Sequence, residues 1–466
     1  MRATDAVMAT PQVDQPIRAE IFGVERLQQH AESLAAAQRT TENPSKGLNH
    51  LARIDDNARA LLGAYRNIAE TVREKKELTP AAEWLLDNIH TVDEQIRDIR
   101  DHLPKGYYRR LPKIAEGHLA GHPRVYGLAW AYPAHPDSRF QLETLRQFVR
   151  AYQRVQPLTI GVGWAIAIHL RVVLVENLRR LAQLIVLSRQ ARARADEVAD
   201  RLLGLSGRRV EQAEDVLRRV GDDPLADAFA MQLFQRLRDQ DPSILPALDW
   251  LNEKLSAQRT SADEVVTREQ HAQGAANVTV RNIVTSMQWM SSVDWTDFFE
   301  AISMVDEVLR AVPGFAEMDT ETRSVCRAQI ELLSRGSGQP EFEVARKAVR
   351  LARDAGRKNM REARPGAGMA DETAPVPPES EPELAGAPRR AEEYPVFYIL
   401  SRGRLAFEQR LGFRVPLPIR LRRLYRAHAI GGYLGVIATL TAALLSVPLF
   451  HTWTAGAGLA VLVLLG

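Results

Sequence analysis

A single cysteine, Cys326, stands among 466 residues, so no disulfide can form within the chain. That usage fits a reducing compartment. Charge of one sign is also scarce: 61 basic residues are balanced by 58 acidic ones, a formal net charge of +3. A dedicated nucleic-acid binder would gather Lys and Arg on one face, so no nucleic-acid partner is expected. The opening residues, MRATDAVMATPQVDQPIRAE, lack an apolar core and do not read as a signal peptide. Residues 1–44 are expected to form a disordered tail, and the soluble part to stay in the cytoplasm. No strand of convincing length occurs before residue 394, no Gly-rich phosphate loop follows a strand, and no repeat of fixed period stands out. With 45% hydrophobic and 26% charged residues the chain is globular in composition, and it is long enough for two or three domains.

What is there is helical periodicity. In LARIDDNARALLGAYRNIAETV (51–72), Leu51, Ile54, Ala58, Leu61, Tyr65, Ile68 and Val72 recur at spacings of three and four. The next stretch, 79–103, opens with Thr79 as N-cap and Pro80 at the first helical position. Its Leu85, Ile89, Val92, Ile96, Ile99 and Leu103 form a second stripe, and the two read as a helical hairpin over 47–103. A bundle is expected over 137–355. Within it LTIGVGWAIAIHL (158–170) is uncharged but covers only about 20 Å, too short to cross a bilayer, and reads as a helix buried on all sides. A helix over 293–312 is capped by Asp294 and buries Trp295, Phe298, Phe299, Ile302, Val305 and Leu309. Another, over 318–338, is capped by Asp319 and stopped by Gly336, and Pro340 opens a third.

Three segments break this pattern. GYYRRLPKIAEGHLAGHPRVYGLAWAYPAHPDSRF (106–140) holds no period for more than a few residues, and an aromatic-rich loop is expected over 104–136. Residues 356–392, with six prolines between Arg364 and Arg390, are expected as a flexible Pro/Gly-rich linker. A basic, membrane-proximal segment follows over 393–426. From Ala427 to Gly466 there is no charge at all. AIGGYLGVIATLTAALLSVPLF (429–450) is long enough to span a bilayer, and AGAGLAVLVLLG (455–466) begins a second apolar run that stops short. The expected class is all-α: a cytoplasmic multi-helix bundle, a disordered linker, and one complete plus one partial transmembrane helix, cut within 427–466. Arg420, Arg422, Arg423 and Arg426 flank the first span, and clustered Arg at a span's end favours a cytoplasmic location for residues 1–426.

Chemical constellations are few. His118 and His122 lie four apart with His135 and Asp137 nearby, but Gly117 and Gly121 argue against a shared helical face, and ordinary loop histidines are the better reading than a zinc site. DQD (239–241) mimics an acidic nucleotide–metal pair, yet it precedes Pro242 at a helix end and reads as a turn. Cys326 sits among packing positions and reads as a small buried residue. Tyr107 and Tyr108 fit either a sugar or nucleotide stack or a cap on the hairpin. No catalytic, cofactor-binding or metal residue is assigned.

The string WLLDNIHTVDEQIRDIRDHLPKGYYRRLPKIAEGHLAGHPRVYGLAWAYPAHPDSRFQLETLRQFVRAYQRVQPLTIG (84–161) closely resembles the N-terminal region of the cyclic β-1,2-glucan synthases. So do AANVTVRNIVTSMQWMSSVDWTDFFEAISMVDEVLR (275–310), SRGSGQPEFEVARKAV (334–349), and the basic run with its first span at 418–450. The resemblance implies part of a large inner-membrane glucosyltransferase that uses UDP-glucose and a divalent metal and makes a cyclic glucan for the periplasm. It implies no cofactor in this chain, because the family's acidic nucleotide motif and its later acceptor motif have no counterpart here. The implied partners are the lipid bilayer and, if encoded separately, the remainder of the synthase. One departure is local: Val162, Gly163 and Ala167 stand where the family text carries Glu, Leu and Pro, which suggests a divergent copy. On this reading the 106–140 segment is a structural plate, with acceptor handling as the alternative. Two further readings of the whole chain are a membrane-tethered helical adaptor and a gene remnant.

Overall fold

The computed structural model describes residues 14–41, 50–103, 105–205, 212–238, 245–312, 314–362, 390–427 and 429–454. These residues divide into two compact units, 1–306 and 307–466. The class is all-α, as the periodicity predicts; among the described residues the only ladder is a pair of two-residue strands.

The first unit opens with α1 (Val24–Ala37), β1 (Thr40–Thr41), α2 (His50–Arg73), α3 (Pro80–Asp87) and α4 (Ile89–His102). It continues with α5 (Lys105–Arg110), β2 (Lys113–Ile114), α6 (Arg124–Ala134), α7 (Leu142–Val155) and α8 (Ile160–Leu202). Helices α9 (Ala213–Arg218), α10 (Asp227–Leu237), α11 (Leu245–Ala257), α12 (Ala262–Ser292) and α13 (Trp295–Ile302) complete it. The division falls inside α14 (Met304–Arg310). The second unit holds α15 (Thr320–Ser337), α16 (Glu341–Glu362), α17 (Pro395–Leu400), α18 (Arg404–Leu411), α19 (Leu417–Ala427) and α20 (Ala429–Thr454).

Helix α8 is the spine of the first unit. Its Thr159 cap accepts from the Val162 amide at 3.3 Å, and Gly204 ends it in the left-handed region with φ of 68°. At 43 residues it is long and apolar enough, by length and composition, to cross a membrane. Yet 83% of its apolar window is buried inside the unit, so it is a core helix. Val162, Ile166, Leu170, Val173, Leu174 and Leu178 all lie in the larger of two apolar clusters. The smaller cluster takes Ala195 and Ala199 from the far end of α8 and packs them on α9, α10 and α11.

Several sequence expectations are corrected. The supposed disordered tail contains α1, whose Leu27, Ala31 and Ala35 are buried in the main core. The supposed loop over 104–136 is largely folded: β2 pairs antiparallel with β1, and Gly117 and Gly121 turn the chain at φ of 89° and 84°. Helix α6 then buries Val125, Tyr126, Leu128, Ala129 and Tyr132. A helix covered on nearly every side has no polar stripe, so its sequence carries no 3.6-residue alternation. The hairpin's second arm breaks at Asn88, whose side chain donates to the Trp84 carbonyl at 2.9 Å. Val72 is exposed and Thr71 takes its place on the buried face of α2, because Arg189 donates to the Thr71 hydroxyl at 2.7 Å. The expected helix over 293–312 is two, broken at Ser303, whose hydroxyl accepts from the Asp306 amide at 3.1 Å. Its expected buried residues Phe298, Phe299, Ile302, Val305 and Leu309 are buried.

In the second unit the Asp319 cap is observed, accepting from the Thr322 amide at 2.7 Å. The stop of α15 is Gly338, at φ of 70°, not Gly336. Gly336 lies inside the helix, and its glycine makes room for the Phe413 ring, which would stand 2.1 Å from a Cβ there. Helix α16 runs on through Glu362, past the expected start of the linker at 356; the rest of that linker, to residue 389, lies outside the described residues. Cys326 is fully buried.

Two glycine-to-alanine substitutions are expected to move stability in opposite directions. A Cβ on Gly127 would lie 2.4 Å from the Gln38 amide nitrogen and 2.8 Å from a methyl of Ile114, whereas Gly63 in α2 has nothing within 4 Å. Gly127→Ala should cost about 1–3 kcal/mol, and Gly63→Ala should add about 0.4–1 kcal/mol. Urea unfolding followed by circular dichroism checks both.

Candidate functional site

The densest polar chemistry of the first unit lies beside the aromatic segment the sequence singles out. Glu176 sits in the middle of α8 with its side chain wholly removed from solvent. Its carboxylate accepts from Arg53 of α2, from Arg180 one turn on at 2.9 Å, and from the Tyr126 hydroxyl of α6 at 2.8 Å. Burial alone would push this carboxyl upward; the Arg53 charge and the three hydrogen bonds outweigh that and hold it below the usual carboxylate range. Arg180 also stacks over the Trp130 ring at 4.8 Å and donates to the Gln15 carbonyl at 2.7 Å. One carboxylate thus ties together α2, α6, α8 and the segment before α1.

Two neutral imidazoles lie in the same interior. The His122 ring stacks on Tyr126 at 4.3 Å, and burial pushes its pKa down to about 4. His169 of α8 is fully buried, shares a 2.8 Å bond with the Ala165 carbonyl through Nδ1, and is likewise pushed down to about 4 by burial. Lys113 lies over the Tyr108 ring at 3.7 Å and donates to the Tyr108 carbonyl at 2.7 Å, with burial lowering it to about 8.

The second polar cluster is a knot at the end of the segment. Asp137 and Ser138 both adopt positive φ, 50° and 60°, which non-glycine residues hold only where neighbours over-determine them. Here α12 supplies the neighbours. Thr279 donates to the Asp137 carboxylate at 2.7 Å, Asn282 to the Asp137 carbonyl at 3.0 Å, and Ser286 to the Ser138 carbonyl at 2.8 Å. Asn177, next to Glu176, donates to the Ser138 hydroxyl at 3.0 Å and accepts from the Ile17 amide at 2.7 Å.

These positions decide the sequence-level candidates. His118 is exposed, His122 stacks on Tyr126, His135 stacks on Phe22 at 3.8 Å, and Asp137 belongs to the knot. Among the described residues no group of three or more His, Cys, Asp or Glu is placed to hold a metal. Tyr107 donates to the Gly161 carbonyl, and Tyr108 carries Lys113 on its face, so both rings are engaged by the protein. Gly163 abuts Phe299, 2.9 Å from where a Cβ would stand, so no larger residue fits there unaided. DQD at 239–241 lies outside the described residues. A cleft of about 530 Å³ opens between α2, α3, α8 and α10. Its wall alternates Arg189, Arg192 and Arg236 with Asp196, Glu197 and Asp200, and Arg236 pairs with Asp196 and Asp200 at 3.0 and 2.6 Å. Sequence reading missed Glu176 and Asn177; the visible signal is an acid and an amide inside the apolar run VVLVENL.

Of the four flanking arginines, Arg420 and Arg422 are exposed on α19. Arg423 instead turns inward to Glu408, a buried carboxylate on α18 that accepts from Arg423 at 2.8 and 2.6 Å and from Arg404 at 2.9 Å. The Arg426 side chain lies outside the described residues. Helix α20 follows, with Leu434, Val436, Leu440, Leu444 and Val447 all exposed.

An all-α chain with a charge-centred helical unit and an apolar C-terminal helix is the class these features define. No family model matches the chain. Over 399 residues, 85% of its length, it is 33% identical to the cyclic beta-(1,2)-glucan synthase NdvB of Rhizobium meliloti (strain 1021). The chain spans 13% of that synthase's length. It belongs by this similarity with the cyclic β-1,2-glucan synthases, as the sequence motifs indicate.

Removing the Glu176 carboxylate leaves the largely buried Arg180 and the partly exposed Arg53 without their shared anion, and Glu176→Ala should cost about 3 kcal/mol in urea unfolding, the low end for breaking a buried pair because Arg53 reaches solvent. Acid should act on the two histidines. Their folded pKa values, about 4, lie below the ordinary 6.5, so between those values the unfolded chain binds protons that the folded chain refuses. Stability is then fully present above pH about 6.5 and is lost toward pH 4, with a slope of up to about 1.4 kcal/mol per pH unit for each histidine. His122→Gln should flatten the dependence of the unfolding midpoint on pH across that window.

Proposed function

We propose that this chain is the non-catalytic helical portion of a membrane-bound cyclic β-1,2-glucan synthase-like glucosyltransferase. The observation that carries the reading is the 33% identity to NdvB over 85% of the chain. The interior supports it: Glu176, Asp137 and their partners are spent on joining helices, and Glu176, ionised between two arginines, is poorly suited to deliver a proton near neutral pH. Transfer of glucose from UDP-glucose, with its divalent metal, then falls to the rest of the synthase, and the product is a cyclic glucan in the periplasm.

Membrane attachment runs through α20. Its 26 residues cover about 39 Å, more than the roughly 30 Å hydrocarbon core. Leu434, Val436, Leu440, Leu444 and Val447 are exposed, which suits a lipid rather than an aqueous surround. Arg420, Arg422, Arg423 and Arg426 precede it, and clustered Arg at a span's end supports a cytoplasmic side for residues 1–426 at the inner membrane.

Two measurements test this. Deleting the coding segment in its own host should abolish periplasmic cyclic glucan, and the purified chain alone should incorporate no label from UDP-glucose above a boiled control. Unchanged glucan in the deletion strain, or incorporation by the chain alone, sinks the reading. For topology, a tag at residue 1 should survive protease in intact spheroplasts and be digested in inverted vesicles.

A further inference from the structure

Helix α19 presents the opposite face from the one a soluble amphipathic helix presents. Ile419 and Arg423, four residues apart, are half-buried, while Leu417 and Leu421 are 72% and 64% exposed. At about 100° per residue the two pairs lie on opposite sides of the helix. The inward turn of Arg423 has a cause. Glu408 is 4% exposed and takes both guanidinium nitrogens of Arg423, with Arg404 completing its shell. A buried carboxylate so held fixes the roll of α19, and that roll forces the leucines outward.

What covers the leucines follows from charge and position. Arg420 and Arg422, both exposed, border the leucine stripe on its two sides. Glu408 is the last acidic residue of the sequence, and six arginines lie between it and Ala427. The centre of a protein interface is depleted of such charge, whereas an anionic bilayer surface takes apolar side chains into its headgroup boundary and guanidinium groups onto its phosphates. Helix α20, with its exposed leucines and valines, begins two residues after α19 ends.

We propose that α19 lies along the membrane surface as an interfacial helix, with Leu417 and Leu421 seated in the headgroup boundary of anionic lipid, Arg420 and Arg422 on the phosphates beside them, and the Glu408–Arg423 pair setting the roll. This rests on α20 being the span. It adds a surface that positions the second unit against the bilayer.

The full chain, with fully buried Cys326 left in place, serves for the test. Single cysteines replace Leu417, Leu421, Arg422 or Leu440, each is labelled with an environment-sensitive fluorophore, and the unsubstituted chain gives the background. The probes are vesicles of phosphatidylcholine, alone or with phosphatidylglycerol, carrying headgroup-depth or acyl-depth nitroxide lipids. Labels at 417 and 421 should be quenched by shallow nitroxides about twofold or more above the label at 422, which should answer to aqueous iodide. Phosphatidylglycerol should raise the quenching at 417 and 421, and the pair Arg420→Gln with Arg422→Gln should remove that rise. If the label at 440 is quenched by deep nitroxides while 417 and 421 answer only to iodide, the span stands and the interfacial helix falls. If 417 and 421 answer to neither quencher, protein covers them and the proposal is overturned. A label at 440 open to iodide removes the span and the proposal together.

Discussion

The carboxylate of Glu176 is the constraint around which the first unit is arranged. An ionised group wholly withdrawn from water is stable only when its charge is matched and its lone pairs are filled. Arg53, Arg180 and Tyr126 do this from three helices, so none of the three can slide or rotate without exposing a buried charge. Asn177, one residue along, extends the same logic to the chain before α1 and to Ser138. Apolar packing around α8 supplies the bulk of the burial, but it tolerates small shifts of register. The polar bonds do not, and they set which face of α8 meets which neighbour.

The knot at Asp137 and Ser138 depends on that register. Two left-handed non-glycine residues in succession are held by donors from α12 and from Asn177, which reach them only if α8 and α12 are aligned. Strain of this kind is often a sign of chemistry. Here the carboxylate and both carbonyls end on hydroxyls and amides of the protein itself, and the strain serves to turn the chain from α6 into α7.

The second unit uses the same device at Glu408. Glu408, buried on α18, draws Arg423 inward and so decides the orientation of α19 just before the chain reaches the uncharged α20. A charge pair in the interior therefore controls which surface of a basic amphipathic helix is offered outward. In both units a buried carboxylate acts through arginine, whose planar fork fixes direction as well as charge.

Periodicity alone determined the all-α class, the faces of α3 and α4, the caps at Asp294 and Asp319, and the reading of 158–170 as a core helix rather than a span. Those features depend on local spacing and on residues next to one another in the chain. Long motifs in the sequence also pointed to the synthase family, although most of the buried polar groups went unremarked. Only the tertiary structure decided the rest. Helix α6 is covered on nearly every side, so it has no solvent face to write a period into its sequence, and residues 104–136 read as loop. Helix α1 is short, with a thin apolar stripe of Leu27, Ala31 and Ala35 in an otherwise polar sequence, and becomes a core element because α7 packs against it. The carboxylate of Glu408 looks in sequence like any surface acid, and that of Glu176 is marked only by the apolar run VVLVENL around it. What distinguishes them is the set of arginines brought to them from elsewhere, Arg53 from 123 residues away and Arg423 from 15. Burial of a charge is a property of its surroundings, and those surroundings exist only once the helices have met.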